Sequence, residues 1–260
     1  HQPYLHYKYP KNEMDLLRKN KCIFGVSVCY TSKNLPVVTG DEFVDMIIDK
    51  GAKYMLNFNY MPVGHGADVS LIPTPEQRKE LYMWNKKMRN GKTGKPIFIM
   101  DFQNDGEYVG GCIAGGRNYF HINSAGDIEP CVFIHFSDSN IRTHTLLEAL
   151  QNPLFMAYYH NQPFNDNHLR PCPMLENPER LREMIEETGA KSSDLERQES
   201  ADELCSKCDE YAKNWKPVAE ELWTTLPHKD THTQYYRDTP EGKAHFGGCT
   251  GNCANCNAHK

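Results

Sequence analysis

The amino-acid sequence predicts an α/β fold: the C-terminal part of a partial (β/α) barrel, followed by a small α+β domain rich in cysteine. Strand-like and helix-like segments alternate over residues 1–105, as they do in a parallel sheet with right-handed crossovers. The alternation stops after Gly106, where a hairpin-like segment follows, and eight of the ten cysteines come after that point. We therefore expect domains at residues 1–105 and 106–226, and a mobile tail containing Cys and His at 227–260.

The first domain is predicted to contain three strands, each preceded by a helix. The expected order is helix, strand, helix, strand, helix, strand, at residues 13–20, 21–30, 43–50, 53–60, 75–90 and 96–102. Two helix starts carry capping signals: Thr39 with Glu42, and Thr74 with Pro75. Three strands cannot close a barrel, so we expect the tail end of a longer α/β barrel. An independent open sheet of three strands is the alternative.

The second domain is predicted to open with a β-hairpin and to continue as helices. Strands at 118–124 and 127–134 flank Ala125 and Gly126, where the glycine permits a tight turn. The helices are expected at residues 146–159, 177–188 with Asn177 as the cap, and 203–223 with a break near Pro217.

Composition narrows the class of protein. Hydrophobic residues make up 39% of the chain and charged residues 24%, which is typical of a soluble globular protein. No run approaches the ~20 apolar residues of a membrane span, and the formal charge of −5 gives no reason to expect nucleic acid as a partner. The start has neither a signal-peptide pattern nor an initiating Met, so we expect a cytoplasmic protein and a fragment of a longer chain.

The cysteines of the second domain have the grouping of metal ligands. Cys112 is followed by thirteen residues, Gly126, four residues and Cys131; further along come Cys172, between two prolines, and the pair Cys205 and Cys208. In a reducing compartment, thiolates gathered in this way bind iron–sulfur clusters or zinc. Buried cysteine without a ligand is the alternative, and it weighs most for Cys172.

The segment from Gly110 to His135 resembles the start of a SPASM or twitch domain, the auxiliary-cluster extension of radical S-adenosylmethionine enzymes. The resemblance covers residues 13–225 and implies a 4Fe–4S cluster held by Cys112, Cys131, Cys205 and Cys208, with Cys172 competing for a place. It also implies S-adenosylmethionine in the intact parent, an electron donor such as flavodoxin or ferredoxin, and a substrate that in this family is often a peptide.

The sequence departs from that family in two places. The C-x3-C-x2-C motif of the radical-generating cluster is missing from the first 110 residues, where Cys22 and Cys29 stand seven apart in one predicted strand. A full SPASM domain also has a cysteine where this chain has Asn214. We therefore expect one auxiliary cluster and no radical generation by this chain alone.

A second group of thiols ends the chain. Cys249, Cys253 and Cys256 have the C-x3-C-x2-C spacing but lie at the extreme C-terminus. Three interpretations stay open: a separate cluster or zinc site with His259 or Cys172 as the fourth ligand, part of a second auxiliary cluster, or a disordered tail.

The carboxyl ends of the predicted barrel strands are where cofactor and substrate groups gather in such barrels. Polar residues there are predicted to face the substrate: Asn57, Asn59, Asp101 and Gln103. The loop after the second strand resembles the family's cofactor-packing loop, which would make it cofactor-binding: Met61, Pro62, Val63 and Gly64.

Two other classes of function compete with the radical-enzyme interpretation. One is a non-catalytic structural zinc-binding module, built from Cys205, Cys208 and the terminal cysteines. The other is an electron-transfer module without a substrate. Iron and sulfide content separates the first of these from an iron–sulfur protein.

Overall fold

The structure is a computed structural model that describes residues 11–64 and 66–225. The contacts of these residues divide the chain into two compact units. The first contains residues 11–60 and 70–102, and the second contains 61–64, 66–69 and 103–225. The predicted tail and its three cysteines lie outside the described residues.

The first unit is a parallel sheet with helices, as predicted. Its elements are α1 (Lys11–Lys19), β1 (Gly25–Tyr30), α2 (Leu35–Val38), α3 (Asp41–Asp49), β2 (Tyr54–Asn59), α4 (Pro75–Arg89) and β3 (Phe98–Asp101), with a short 3-10 helix at Val69–Leu71. The strand order is β1-β2-β3 and both strand pairs are parallel. The mixed α/β class with a parallel sheet is therefore confirmed.

The core of the first unit lies between one face of this sheet and its helices. Successive side chains of a strand point to opposite faces, so Met55, Asn57 and Asn59 of β2 share a face. Met55 is fully buried and belongs to one apolar cluster with Ile47 of α3 and Leu81 of α4. Asn57 and Asn59 therefore project to the side of the sheet that the helices cover.

The two predicted capping boxes have different outcomes. Thr74 accepts a hydrogen bond from the backbone N–H of Gln77, whose side chain accepts one from the backbone N–H of Thr74, so this box is confirmed. The box at Thr39 is wrong. A short helix, α2, ends there, and the Thr39 hydroxyl donates to the Leu35 carbonyl (2.9 Å), which leaves Gly40 as the N-cap of α3.

The second unit contains short strands and longer helices. Its elements are α5 (Gly106–Val109), β4 (His121–Ile122), β5 (Ile128–Glu129), β6 (Phe136–Ser137), α6 (Leu146–Leu150), α7 (Pro153–Asn161), α8 (Pro178–Thr188), β7 (Lys191–Ser192) and α9 (Ala201–Thr225). β4 and β5 pair antiparallel, which confirms the predicted hairpin; β6 and β7 form a second antiparallel pair.

Two helix predictions in this unit are wrong. The segment predicted as one helix at 146–159 is two, since Pro153 has no N–H to continue α6 and instead starts α7. α9 runs without a break through Pro217, because buried residues on both sides of the proline, Trp215 and Ala219, hold one continuous packed face. No helix within the described ranges is long and apolar enough to cross a membrane.

Candidate metal centre

Three loops of the second unit carry three of the predicted ligands. Cys112 follows α5, Cys131 follows β5, and Cys172 lies in the loop before α8. The hairpin of β4 and β5 lies between Cys112 and Cys131 in sequence. Outside its paired residues, the backbone N–H of Gly115 donates to the carbonyl of Pro130, the residue before Cys131 (2.9 Å). Segments far apart in sequence thus bring thiols to one region.

These three thiols interact with one another electrostatically. Cys131 contributes to the raised pKa of Cys112, and both contribute to that of Cys172. Burial is the largest cause in each case and raises the pKa of Cys112 to about 12. The nearby Arg117 guanidinium lowers the pKa of Cys112, but burial outweighs it, so the three sulfurs are neutral thiols at neutral pH. A metal or cluster would supply the charge that favours their thiolate forms.

Each of the three sulfurs accepts a hydrogen bond from the backbone a few residues further along. The donors are the N–H groups of Ala114 for Cys112, Phe133 for Cys131 and Leu175 for Cys172, the last at 3.4 Å. Such bonds favour a negatively charged sulfur, and hydrogen bonds to sulfur are one means by which proteins tune iron–sulfur clusters.

An arginine fixes the loop that carries Cys112. The Arg117 guanidinium donates to the carbonyls of Gly110 (3.2 Å) and Cys112 (2.7 Å), and also to that of Val109. Three carbonyls of one turn are thereby satisfied by one side chain. The turn contains Gly111 at a φ of +94°, a conformation that glycine adopts without strain.

Two buried polar side chains fix the loop that carries Cys172. The Glu176 carboxylate accepts the backbone N–H of Cys172 (2.6 Å). The Asn177 amide donates to the carbonyls of Cys172 (3.0 Å) and Arg170 (2.9 Å). Asn177, predicted as the cap of α8, makes no side-chain capping bond and instead holds this loop.

Two tyrosines complete the surroundings of the three thiols. The Tyr119 hydroxyl lies 2.8 Å from the Cys131 sulfur. The Tyr158 hydroxyl is fully buried and interacts electrostatically with all three thiols. It has no hydrogen-bond partner within the part of the chain that the structure describes.

Cys205 and Cys208 form a separate pair on α9. Both are fully buried, and Cys205 contributes to the raised pKa of Cys208. Burial raises the pKa of Cys205 to about 12. Glu176 interacts electrostatically with Cys208 and also with Cys112 and Cys172, so this carboxylate is common to the two groups of thiols.

The donor set consists of thiols, which are the ligands that iron–sulfur clusters take. Among residues 11–64 and 66–225, no three His, Cys, Asp or Glu side chains converge on a position for a single metal ion. A four-iron cluster is held by four thiolates, and the chain has three that interact with one another and a buried pair linked to them through Glu176. The buried, partnerless hydroxyl of Tyr158 beside the three thiols also fits a bound group that accepts hydrogen bonds.

The predicted substrate-facing residues divide between the two units. In the first unit, the Asn57 amide donates to Asn85 of α4 (3.4 Å), whose own amide donates to Asp101 (2.7 Å). Asn57, Asn59 and Asp101 are buried, on the face that packs against helices. These side chains contribute to packing between sheet and helix, and their role in facing a substrate stays a prediction.

The predicted cofactor loop and Gln103 belong to the second unit. Gln103 is buried, and its amide contacts the Met61 sulfur at 3.8 Å. Val63 and Gly64 line a small surface pocket together with side chains such as His135 and Asp194. Met61 and Pro62 are buried, so the loop offers only Val63 and Gly64 to a ligand. Cofactor binding by this loop stays a prediction.

Comparison with known proteins gives two similar structures. Both are anSMEcpe, an anaerobic sulfatase-maturating radical S-adenosylmethionine enzyme, with bound AdoMet; one is native and one is His6-tagged. The sequence identities are 14% and 15%, and the TM-scores are 0.43 and 0.40. The two matches cover 83% and 84% of this chain. The chain spans 61% and 59% of theirs. No protein-family model and no curated protein matches the sequence.

Sequence reasoning missed the residues that surround the thiols. Tyr119, Tyr158, Arg117 and Glu176 carry no motif spacing relative to the cysteines. The paired glycines on either side of Cys112 are the sequence feature that indicates close packing at this loop. Gly115 has a φ of +67°, and a Cβ there would lie 2.3 Å from the Tyr158 ring, so a close packing contact explains this glycine.

Proposed function

We propose that this chain is the auxiliary-cluster portion of a radical S-adenosylmethionine enzyme and binds one 4Fe–4S cluster. Cys112, Cys131 and Cys172 supply three thiolates, and the fourth comes from Cys205 or Cys208. The observation that carries the proposal is the set of three mutually interacting thiols, each of which accepts a backbone N–H. The spacing of Cys112, Gly126 and Cys131, which resembles that of a SPASM or twitch domain, supports the assignment to this enzyme class.

The protein residues prepare the ligands for the cluster. The N–H groups of Ala114, Phe133 and Leu175 stabilise negative charge on the sulfurs. Arg117 and Glu176 hold the loops, and burial keeps water away from the centre. When bound, the cluster supplies one-electron transfer or a binding position for substrate.

The remaining parts of the proposal concern the intact parent protein. S-adenosylmethionine is its cofactor, a peptide is the proposed substrate class, and flavodoxin or ferredoxin is the proposed electron donor. The Cys-x3-Cys-x2-Cys motif that generates the radical is not found in residues 1–110. This chain is therefore expected to bind a cluster without cleaving the cofactor by itself.

Metal and sulfide analysis of anaerobically purified protein tests the proposal. We expect about four irons and four sulfides per chain, with the brown absorption of an iron–sulfur protein. About eight of each would add a second cluster that involves the terminal cysteines. Zinc without sulfide would contradict the proposal and favour a structural zinc module.

Two serine variants test the ligand assignment. Cys172→Ser is expected to lower iron and sulfide content strongly, because it removes one of the three interacting thiols. Cys29→Ser is the matched control, since this exposed cysteine lies on β1 in the other unit. Equal iron content in both variants would remove Cys172 from the ligand set.

A further inference from the structure

The hydroxyl of Tyr158 is the feature that the proposed ligands leave unexplained. Tyr158 lies on α7 and has no exposed surface. Its hydroxyl meets no hydrogen-bond partner in the described residues. Buried polar atoms in proteins are nearly always hydrogen-bonded, because an unpaired one loses its bonds to water without replacement. An acceptor from outside the described side chains would resolve this.

Packing fixes the direction of the Tyr158 ring. The Gly115 backbone lies against one side of it, so close that a Cβ would stand 2.3 Å from the ring. Phe164 packs edge-on against it, with centroids 5.3 Å apart. α7 is also tied to the Cys112 loop, because the Gln162 amide donates to the Ala114 carbonyl (3.0 Å). The ring therefore cannot turn away from this loop without breaking its packing.

The hydroxyl end of the ring lies within electrostatic range of the three thiols. It interacts electrostatically with Cys112, Cys131 and Cys172, and with the Tyr119 hydroxyl. Tyr119 already has a partner, the Cys131 sulfur at 2.8 Å. Within the described part of the chain, Tyr158 is therefore the buried hydroxyl of this group that has no acceptor for its hydrogen bond.

We propose that the Tyr158 hydroxyl donates a hydrogen bond to an inorganic sulfide of the cluster held by Cys112, Cys131 and Cys172. This inference rests on the proposed function. A sulfide becomes more negative when the cluster gains an electron, so the bond strengthens on reduction. Tyr158 therefore stabilises the reduced state and raises the reduction potential of the cluster.

The test is the variant Tyr158→Phe, with Tyr159→Phe as its matched control. The control removes a hydroxyl from the next residue of the same helix, whose ring packs against His160. Both variants and the wild type are reconstituted anaerobically with iron and sulfide. Iron and sulfide are counted, and the potential is measured by reductive titration monitored by electron paramagnetic resonance. We expect Tyr158→Phe to retain the cluster with a potential lower by about 59 mV, a tenfold change for one electron.

The stability of the protein without the cluster is a second measurement. It distinguishes the proposed role of the Tyr158 hydroxyl from a purely structural one. Removing a buried hydroxyl that has no partner should leave the melting temperature of the apo protein equal or higher. Removing it from the loaded protein should lower the melting temperature. An apo Tyr158→Phe protein that fails to fold would overturn the inference, because the hydroxyl would then have a partner within the chain. An unchanged potential in a fully loaded variant would overturn it as well.

Failure of the inference and failure of the proposed function give different results. If the wild type binds no iron and sulfide, the proposed function is wrong and the inference falls with it. If the wild type binds a cluster and the potentials of all three proteins agree, only the role of Tyr158 is wrong. If apo Tyr158→Phe folds but loses the cluster while Tyr159→Phe keeps it, the hydroxyl contributes to binding and the inference stands.

Discussion

At the scale of single residues, polar side chains hold the loops of the candidate centre in place through hydrogen bonds to backbone atoms. Asn177 shows this most clearly. The pattern of Asn before Pro178 predicted a helix cap, yet the amide donates to two carbonyls of the Cys172 loop. The start of α8 was predictable from Pro178 alone, whereas the use of Asn177 depends on where residues 170–172 lie.

Replacing Asn177 by alanine should destabilise the protein and loosen the Cys172 loop. The change removes the side-chain donor of the Arg170 carbonyl, which costs about 1–3 kcal/mol of the free energy of unfolding, whereas the Cys172 carbonyl keeps the backbone N–H groups of Glu176 and Asn177. Denaturant unfolding of the apo protein and iron content after reconstitution measure the two effects. Asn118→Ala, at an exposed position of the same unit, is the control. Unchanged stability and iron content would show that the loop holds without the amide.

A carboxylate next to β7 predicts an acid-dependent loss of stability. The backbone N–H of Arg197, above all, and that of Glu196 lower the pKa of Asp194 from 3.8, and His135 adds to this. A lowered pKa in the folded state contributes stability above pH 3.8, and this contribution is lost as the pH falls through the lowered value.

The variant Asp194→Asn should therefore differ most from the wild type at neutral pH. The difference in free energy of unfolding is expected to shrink as the pH falls, and urea unfolding between about pH 3 and about pH 7 measures it. A difference that stays constant over this range would contradict the assignment.

At the scale of elements, short-range capping chemistry predicted one helix start correctly and another wrongly. Both Thr74 and Thr39 precede a suitable residue at the third helical position. At Thr39, however, the preceding residues form α2, and the hydroxyl bonds backward to Leu35. The sequence pattern of a capping box contains no information on whether another helix ends at the same residue.

A pair of alanine variants separates these two threonines. Thr74→Ala should cost about 1 kcal/mol, because α4 loses the side-chain bond at its N-terminus. Thr39→Ala should cost less, within about 0.5 kcal/mol, since the hydroxyl does not cap α3. Denaturant unfolding of both proteins compares them. Equal losses would indicate that Thr39 caps α3 in solution.

At the scale of the whole molecule, cluster binding should couple distant loops. The N–H groups of Ala114, Phe133 and Leu175 donate to sulfurs that lie on three different loops. Thiolates accept stronger hydrogen bonds than thiols do, so these amides should exchange with deuterium more slowly in loaded protein. Hydrogen exchange with residue resolution measures this effect.

Removing iron with a chelator should reverse that protection. Amides of β2, such as that of Leu56, provide the internal reference within the parallel sheet. If protection rises equally at Leu56 and at the three loop amides, the effect is one of global stability and does not identify the ligands.

Part of this fold is encoded in short stretches of the chain. Alternating apolar segments specified the parallel sheet of β1, β2 and β3, and Gly126 between strand-like runs specified the hairpin. These follow from local periodicity and turn chemistry, which are complete within about ten residues.

The contacts between residues far apart in sequence depend instead on how the folded elements pack. This packing grouped Cys172 with Cys112 and Cys131, brought Tyr158 within electrostatic range of them, and directed Asn57 toward a helix. The physical reason is that these contacts join residues 14 to 60 positions apart, where packing of complete elements sets the distance. No local pattern records that packing, because each contact depends on the position of a loop or helix elsewhere in the chain.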